Sequence, residues 1–351
     1  MHIIQITPSY APNLGGVETH VLDLTKELLR LGHQVTIITL QKNSSTNQSS
    51  SRSGQITQAD SQPKVIFLPV TSSLDKIPIW QAIYRLREII SSADVVQVHD
   101  VFWWILPLWP QLRSKIFTTF HGWEGIYPVS VTAKLQRWLW SKMSVRTMHI
   151  GSWIQEFYLD HPDVVSYGAP PNHSRKLRQT TSTSKLHLPL NIVFVGRIVS
   201  ENEVAEYLIA CQQLHKQGLN FNMTWVGDGP LRTEFAQLGR VTGMVADVEK
   251  YISGADLVFA NSYLSMLQAQ AAGAVVCSVY SNMLKQRYLE TYPGFESLVM
   301  AESGKDLAQQ VLQLVKQPAR LQRLRRNGQT SAAKHTWTAV TKQYLNLWRQ
   351  Q

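Results

Sequence analysis

The chain has 351 residues, 44% of them apolar and 17% charged. That composition builds sizeable cores, excludes a wholly disordered chain and, at this length, favours two domains. The formal net charge is +10, from 34 Lys and Arg against 24 Asp and Glu. Such an excess suits an anionic partner, whether a nucleotide, a nucleic acid or a lipid surface, or else a solvated basic face.

The first element is an Ile-rich strand, His2–Thr7. A turn over Pro8–Gly16 follows, ending in Gly15-Gly16. Apolar residues at Val17, Val21, Leu24, Leu28 and Leu31 then keep helical spacing, and Gly32 stops that helix. Gln34–Leu40 is the next strand, so the first 40 residues form a βαβ unit and imply a parallel sheet. Residues 42–62 are rich in Ser, Asn, Gln and Thr and read as a mobile loop. Lys64–Leu68 is a strand, Ile79–Ile90 a helix, Val95–Val98 a strand ending at His99-Asp100, and Lys115–Phe120 a strand ending at His121-Gly122.

The longest apolar run, Val101–Pro110, has ten residues and two prolines. A spanning helix needs about 20 residues, so the chain is expected on a membrane surface at most. Between Ile126 and Ile150 there are four basic residues and no acid. There Arg137, Trp138 and Trp140 suggest an interfacial amphipathic helix that meets an acceptor or an anionic membrane, unless the tryptophans are simply core.

A polar, basic stretch bounded by prolines marks a linker at 171–189. The βα rhythm restarts with the strand Asn191–Val195, leading into Gly196-Arg197. Glu203–Gln217 is a helix, Asn222–Val226 a strand leading into Gly227-Asp228-Gly229, and Asp256–Ala260 a strand. Leu264–Ala272 is a helix and Val275–Val279 a strand, and helices close the chain. The fold class is therefore α/β, with two Rossmann-like halves: 1–170, then 190–335 after the linker. A C-terminal helix, 336–351, follows them.

Cys211 and Cys277 form neither a metal-like spacing nor a disulfide framework, which fits a reducing compartment. The opening residues lack the pattern of a secretory leader, so a cytoplasmic location is expected. No nucleic-acid recognition signature is present.

In open α/β sheets function gathers beyond the carboxyl ends of strands, which singles out several positions. Gly15-Gly16 lets a helix N-terminus approach an anion, or makes a plain tight turn. His121 can donate to a sugar hydroxyl or a reacting phosphate, or serve structure. Arg197 can pair with a diphosphate, or remain a surface arginine.

Taken in order, ITPSYAPNLGGVETHVLDLTKELLRLGHQVTIITL (Ile6–Leu40), FVGR (Phe194–Arg197), WVGDGPLR (Trp225–Arg232), ISGADLVFANS (Ile252–Ser262) and QAQAAGAVV (Gln268–Val276) resemble the GT-B glycosyltransferases of the "glycosyl transferases group 1" type. The resemblance implies two Rossmann-like domains with parallel sheets facing across a cleft. The first takes an acceptor and the second a nucleotide-sugar, and the final helix crosses back to the first domain. It implies transfer with retention and no metal or other cofactor. Gly15 and Gly16 match the glycine loop near donor and acceptor, and His121 matches the cleft histidine. Gly196 and Arg197 match the diphosphate site, with Gly227 in the following turn. Met244 and Val245 fall where backbone meets the nucleobase. The amides of Leu264, Ser265, Met266 and Leu267 would face phosphate. Two positions depart from the family pattern: Asn202 stands where a lysine is usual, and Gln268 where a glutamate holds the ribose.

The expected function is transfer from a UDP- or GDP-sugar to a glycan or lipid-linked acceptor in cell-surface polysaccharide or glycolipid synthesis. The site would lie at the inner face of the plasma membrane. The alternative is a degenerate GT-B protein that binds a partner without transferring.

Overall fold

A computed structural model describes residues 1–40, 62–70, 72, 75–171, 188–200 and 203–349. Residues 42–61 of the expected 42–62 loop, most of the 171–189 linker, and Asn202 fall outside these residues. The chain divides into two compact units, Met1–Ser166 with Thr338–Gln351, and Tyr167–Trp337.

The first unit opens with β1 (His2–Ile6), α1 (Gly16–Arg30), β2 (Gln34–Leu40) and β3 (Lys64–Leu68). Next come α2 (Lys76–Arg85), α3 (Arg87–Ser91) and β4 (Val95–His99). A 3₁₀ segment (Phe102–Leu108) leads to α4 (Trp109–Leu112), β5 (Ile116–Phe120), α5 (Val131–Met143), β6 (Arg146–Ile150), α6 (Ile154–Phe157) and β7 (Val164–Ser166). Its seven strands are parallel, in the order β3-β2-β1-β4-β5-β6-β7.

The second unit holds β8 (Leu190–Val195), α7 (Val204–Lys216), β9 (Phe221–Val226), α8 (Arg232–Phe235), β10 (Arg240–Val241), α9 (Glu249–Ile252) and β11 (Leu257–Ala260). It continues through α10 (Tyr263–Ala271), β12 (Val275–Val279), α11 (Met283–Glu290), β13 (Leu298–Ala301), α12 (Gly304–Val315) and α13 (Pro318–Ala333). Its six strands are also parallel, in the order β10-β9-β8-β11-β12-β13. The last helix, α14 (Trp337–Arg349), belongs from Thr338 onward to the first unit.

The strands read as they do because helices cover both faces of each sheet, so the central ones are apolar throughout. Every residue of β4, β5 and β12 is buried. Gly32 follows α1 with φ +79, a conformation that glycine takes without steric cost.

The expected single helix Ile79–Ile90 is instead two. Leu86 leaves helical geometry, and its amide bonds Ile83 O at 3.0 Å, which tightens the last turn of α2. The apolar run near Val101 is core rather than surface. Phe102, Trp104, Ile105 and Leu108 are fully buried, and the Trp109 indole donates to Met143 O at 2.8 Å. β6, β7 and β10 carry too little apolar pattern of their own to announce themselves and are held by pairing with neighbours.

Candidate functional site

In a sheet whose strand order reverses, two adjacent carboxyl ends have their connections leaving in opposite directions, and a crevice opens there. In the first unit the reversal lies between β1 and β4, and in the second between β8 and β11. Each carries a distinct set of side chains.

In the first unit three histidines converge. His99 ends β4, His121 follows β5, and His20 comes from the buried face of α1. His99 Nδ1 lies 2.9 Å from His121 Nε2, and the His20 ring stands edge-on to His121 with centroids 4.8 Å apart. The final helix reaches the same place. The Tyr344 hydroxyl lies 3.0 Å from His20 Nε2 and 2.9 Å from Thr119 Oγ1, and the Trp348 indole donates to Gln97 Oε1 at 2.9 Å. Burial pushes His121 down to about 3, and it also holds His20 and His99 well below the usual range. His121 is therefore an uncharged hydrogen-bonding group at neutral pH and carries no positive charge.

The loop after β5 is pinned from below. Asp100 adopts φ +61, and its Oδ1 accepts from the His121 amide at 2.9 Å. Burial raises Asp100 to about 6, although the nearby Arg137 opposes this. Arg137 itself is buried. Its Nη2 donates to Gly122 O at 2.8 Å and Glu124 Oε1 at 3.2 Å, and its guanidinium lies 3.8 Å over the Tyr158 ring. Arg137 thus faces inward and anchors the loop that carries His121; it is no part of a membrane-facing surface. Trp140 stacks on Phe102 with centroids 5.1 Å apart, whereas Trp138 is exposed.

Gly15 caps α1 in extended geometry and Gly16 is its first residue. A Cβ on Gly15 would meet a Glu18 carboxylate oxygen at 2.3 Å. The acid answering this helix end is therefore the chain's own Glu18, in the favourable position for a helix dipole.

In the second unit, Gly196-Arg197 follow β8 and Asn261-Ser262 follow β11, so both pairs meet at the reversal. Arg197 is exposed. Gly227 has a packing reason: a Cβ there would lie 1.8 Å from the Gly196 carbonyl oxygen. It also bridges Gly243, which places Met244 (exposed) and Val245 (half-buried) beside the same turn.

The helix α10 begins one residue earlier than expected, with Ser262 as its cap. The Met266 amide bonds Ser262 O at 2.9 Å, and the Met266 and Leu267 side chains are fully buried. The Met266 amide is thus engaged within the helix, and the side chains of Met266 and Leu267 belong to the core. The Ser265 amide turns to Ser262 Oγ at 3.4 Å, and the Tyr263 amide donates to the Tyr288 hydroxyl at 2.8 Å. Leu264 and Gln268 are half-buried.

The sequence pattern gave no sign of a charged cluster behind this turn. Glu203 takes φ +50 and is buried. Its carboxylate accepts from Asn261 Nδ2 at 3.1 Å and Ser281 Oγ at 3.0 Å, with Lys285 Nζ 3.5 Å away. Burial raises Glu203, and Lys285 offsets part of that. Among the described residues no group of three or more His, Cys, Asp or Glu could hold a metal ion. No described helix is long and apolar enough to cross a membrane.

Residues 14–167 match the family model described as Glycosyltransferase Family 4, and residues 189–317 the one described as Glycosyl transferases group 1. No curated protein matches the chain. Among solved structures it is similar to a glycosyltransferase from Rickettsia africae, with 14% identity, 99% of this chain and 97% of that one covered, and a TM-score of 0.72. It is also similar to Anabaena HepE in complex with UDP and glucose, with 12% identity, 99% of each chain covered and a TM-score of 0.72. A third is WaaG, a glycosyltransferase involved in lipopolysaccharide biosynthesis, with 14% identity, 99% and 100% covered and a TM-score of 0.68. At these identities the likeness is one of fold, the GT-B arrangement of two parallel-sheet units.

Proposed function

We propose that this chain, which belongs to the glycosyltransferases of the group 1 type with the GT-B fold, moves a sugar from a UDP- or GDP-sugar to a glycan or lipid-linked acceptor with retention. The observation that carries the reading is the strand reversal between β8 and β11, with the exposed Arg197 beyond one strand end and the start of α10 beyond the other. A planar guanidinium there suits a diphosphate through paired N–H donors, and the first amides of a helix suit its remaining charge. In this proposal Gly196, Arg197, Leu264 and Ser265 meet the diphosphate without a metal, Met244 and Val245 border the base, and Gln268 bonds the ribose. HepE was solved with UDP and glucose, which favours a UDP-sugar among the choices. WaaG's role in lipopolysaccharide synthesis favours a surface glycan. Exposed Leu135, Trp138 and Leu139 on α5 support peripheral contact with an anionic membrane at its cytoplasmic face.

A second reading, a GT-B chain that binds a partner without transferring, is favoured by the Glu203 carboxylate. It already occupies donors from Asn261, Ser281 and Lys285 behind the same turn.

The experiment is thermal unfolding against UDP, GDP, ADP and their sugar conjugates, for the natural chain and Arg197→Ala. A ligand at about 100 times its Kd adds roughly 2.7 kcal/mol. A shift with one base that Arg197→Ala abolishes supports the donor site. A shift that survives the substitution removes Arg197 from the diphosphate, and no shift with any of them selects the second reading.

A further inference from the structure

His99 is wholly buried, and both its ring nitrogens are engaged: Nε2 at 3.1 Å from Gln5 Oε1, and Nδ1 at 2.9 Å from His121 Nε2. The polarity of this chain of contacts follows the orientation of the Gln5 amide. Gln5 turns its amide nitrogen to Thr25 Oγ1 at 2.8 Å and its carbonyl oxygen to His99. A carbonyl oxygen only accepts, so His99 Nε2 must carry hydrogen. A neutral imidazole has one ring hydrogen, which leaves His99 Nδ1 as a lone pair. Its short contact with His121 then requires the hydrogen on His121 Nε2. Among the described residues His121 Nδ1 makes no hydrogen bond.

We propose that His99 is a positioning residue that locks His121 in its Nε2–H form and leaves Nδ1 as an acceptor for a sugar hydroxyl. The hydroxyl as ligand rests on the transferase reading above; the tautomer does not. Desolvation supports the neutral state of both rings, since burial opposes a charge on either one.

A second chain of contacts braces the pair from the other side. The Trp348 indole can only donate, so it fixes Gln97 Oε1 toward itself and turns Gln97 Nε2 to Thr119 Oγ1 at 3.0 Å. Thr119 in turn meets Tyr344, which holds His20 edge-on against the His121 ring. Rotating the His121 ring would break the His99 contact and press into His20.

Which nitrogen carries hydrogen decides the chemistry. An Nε2–H ring engaged by His99 offers a substrate only an acceptor. The sequence names His121 but gives no hint of this direction, because Gln5, Thr25, His99 and His121 lie on four separate elements or strand ends.

The test is two-bond ¹H–¹⁵N correlation NMR of the full chain with ¹⁵N-labelled histidine at pH 7, with His121 assigned from a His121→Gln sample. The expected spectrum shows His99 and His121 both neutral with hydrogen on Nε2. Hydrogen on His121 Nδ1, or a charged His121, overturns the proposal. Gln5→Leu removes the acceptor behind His99, so the Nδ1–H form should grow at both rings together. A change at His99 with none at His121 also overturns it. Thr25→Val, which frees the Gln5 amide to rotate, gives the same comparison should Gln5→Leu fail to fold. With a nucleotide-sugar that turns over, Gln5→Leu should lower kcat by about tenfold or more while KM changes little, as misplaced groups do. The expected tautomers with no turnover on any donor would refute the transferase reading and leave this inference standing.

Discussion

Replacing His121 with glutamine should flatten the pH dependence of stability in the first unit. Burial moves His121 from 6.5 to about 3. As pH falls below 6.5 the unfolded chain takes up the proton and the folded chain does not. Stability is therefore fully present above 6.5, is lost progressively on acidification, and levels off below about 3. Each unit is worth about 1.4 kcal/mol, so between pH 7 and pH 5 this one group costs about 2 kcal/mol. His20 and His99 are depressed for the same reason and act in the same direction.

Asp100 works the other way. Raised from 3.8 to about 6, it adds stability as pH falls through 6, by about 1.4 kcal/mol at pH 5. The difference between variant and natural chain, rather than either slope alone, is therefore the quantity to read. The assay is the opening free energy of peptides spanning β4 and β5, measured by hydrogen exchange at pH 7 and pH 5. The loss on acidification should be about 2 kcal/mol smaller in His121→Gln. Equal losses within about 0.5 kcal/mol would refute the argument that a desolvated, neutral His121 sits in this network.

Three further outcomes can be checked directly. Gly227→Ala should cost more than about 3 kcal/mol, since its Cβ would stand 1.8 Å from the Gly196 carbonyl oxygen; an unchanged melting temperature would disprove the close approach. Gln270→Leu should cost about 2–3 kcal/mol in urea unfolding, because it strips partners from the buried Tyr292 hydroxyl (2.6 Å) and Ser297 hydroxyl (2.8 Å). Tyr344→Phe should loosen the final helix by about 1–3 kcal/mol by removing the hydroxyl between His20 and Thr119, visible as faster exchange at α14 amides.

The order of elements was legible because it is local. The apolar runs Gln34–Leu40, Lys64–Leu68 and Val275–Val279 are strands with the bounds their composition suggests. Gly32 closes the first helix as its backbone freedom allows. Placing His121 and Arg197 beyond strand ends followed from the same βα alternation.

The state of those residues was not legible. Arg137 reads as part of a basic, aromatic helix face, yet Glu124, Gly122 and Tyr158 draw it inward. The Met266 amide reads as a phosphate contact, yet with Ser262 as the cap it bonds Ser262 O inside the first turn. His20 gains its partner from Tyr344, 324 positions away, and no periodicity encodes that contact. Helix and strand signals depend on neighbours a few residues apart. Burial, protonation and hydrogen-bond direction depend on which strands the crossovers bring side by side, so only the folded sheet decides them.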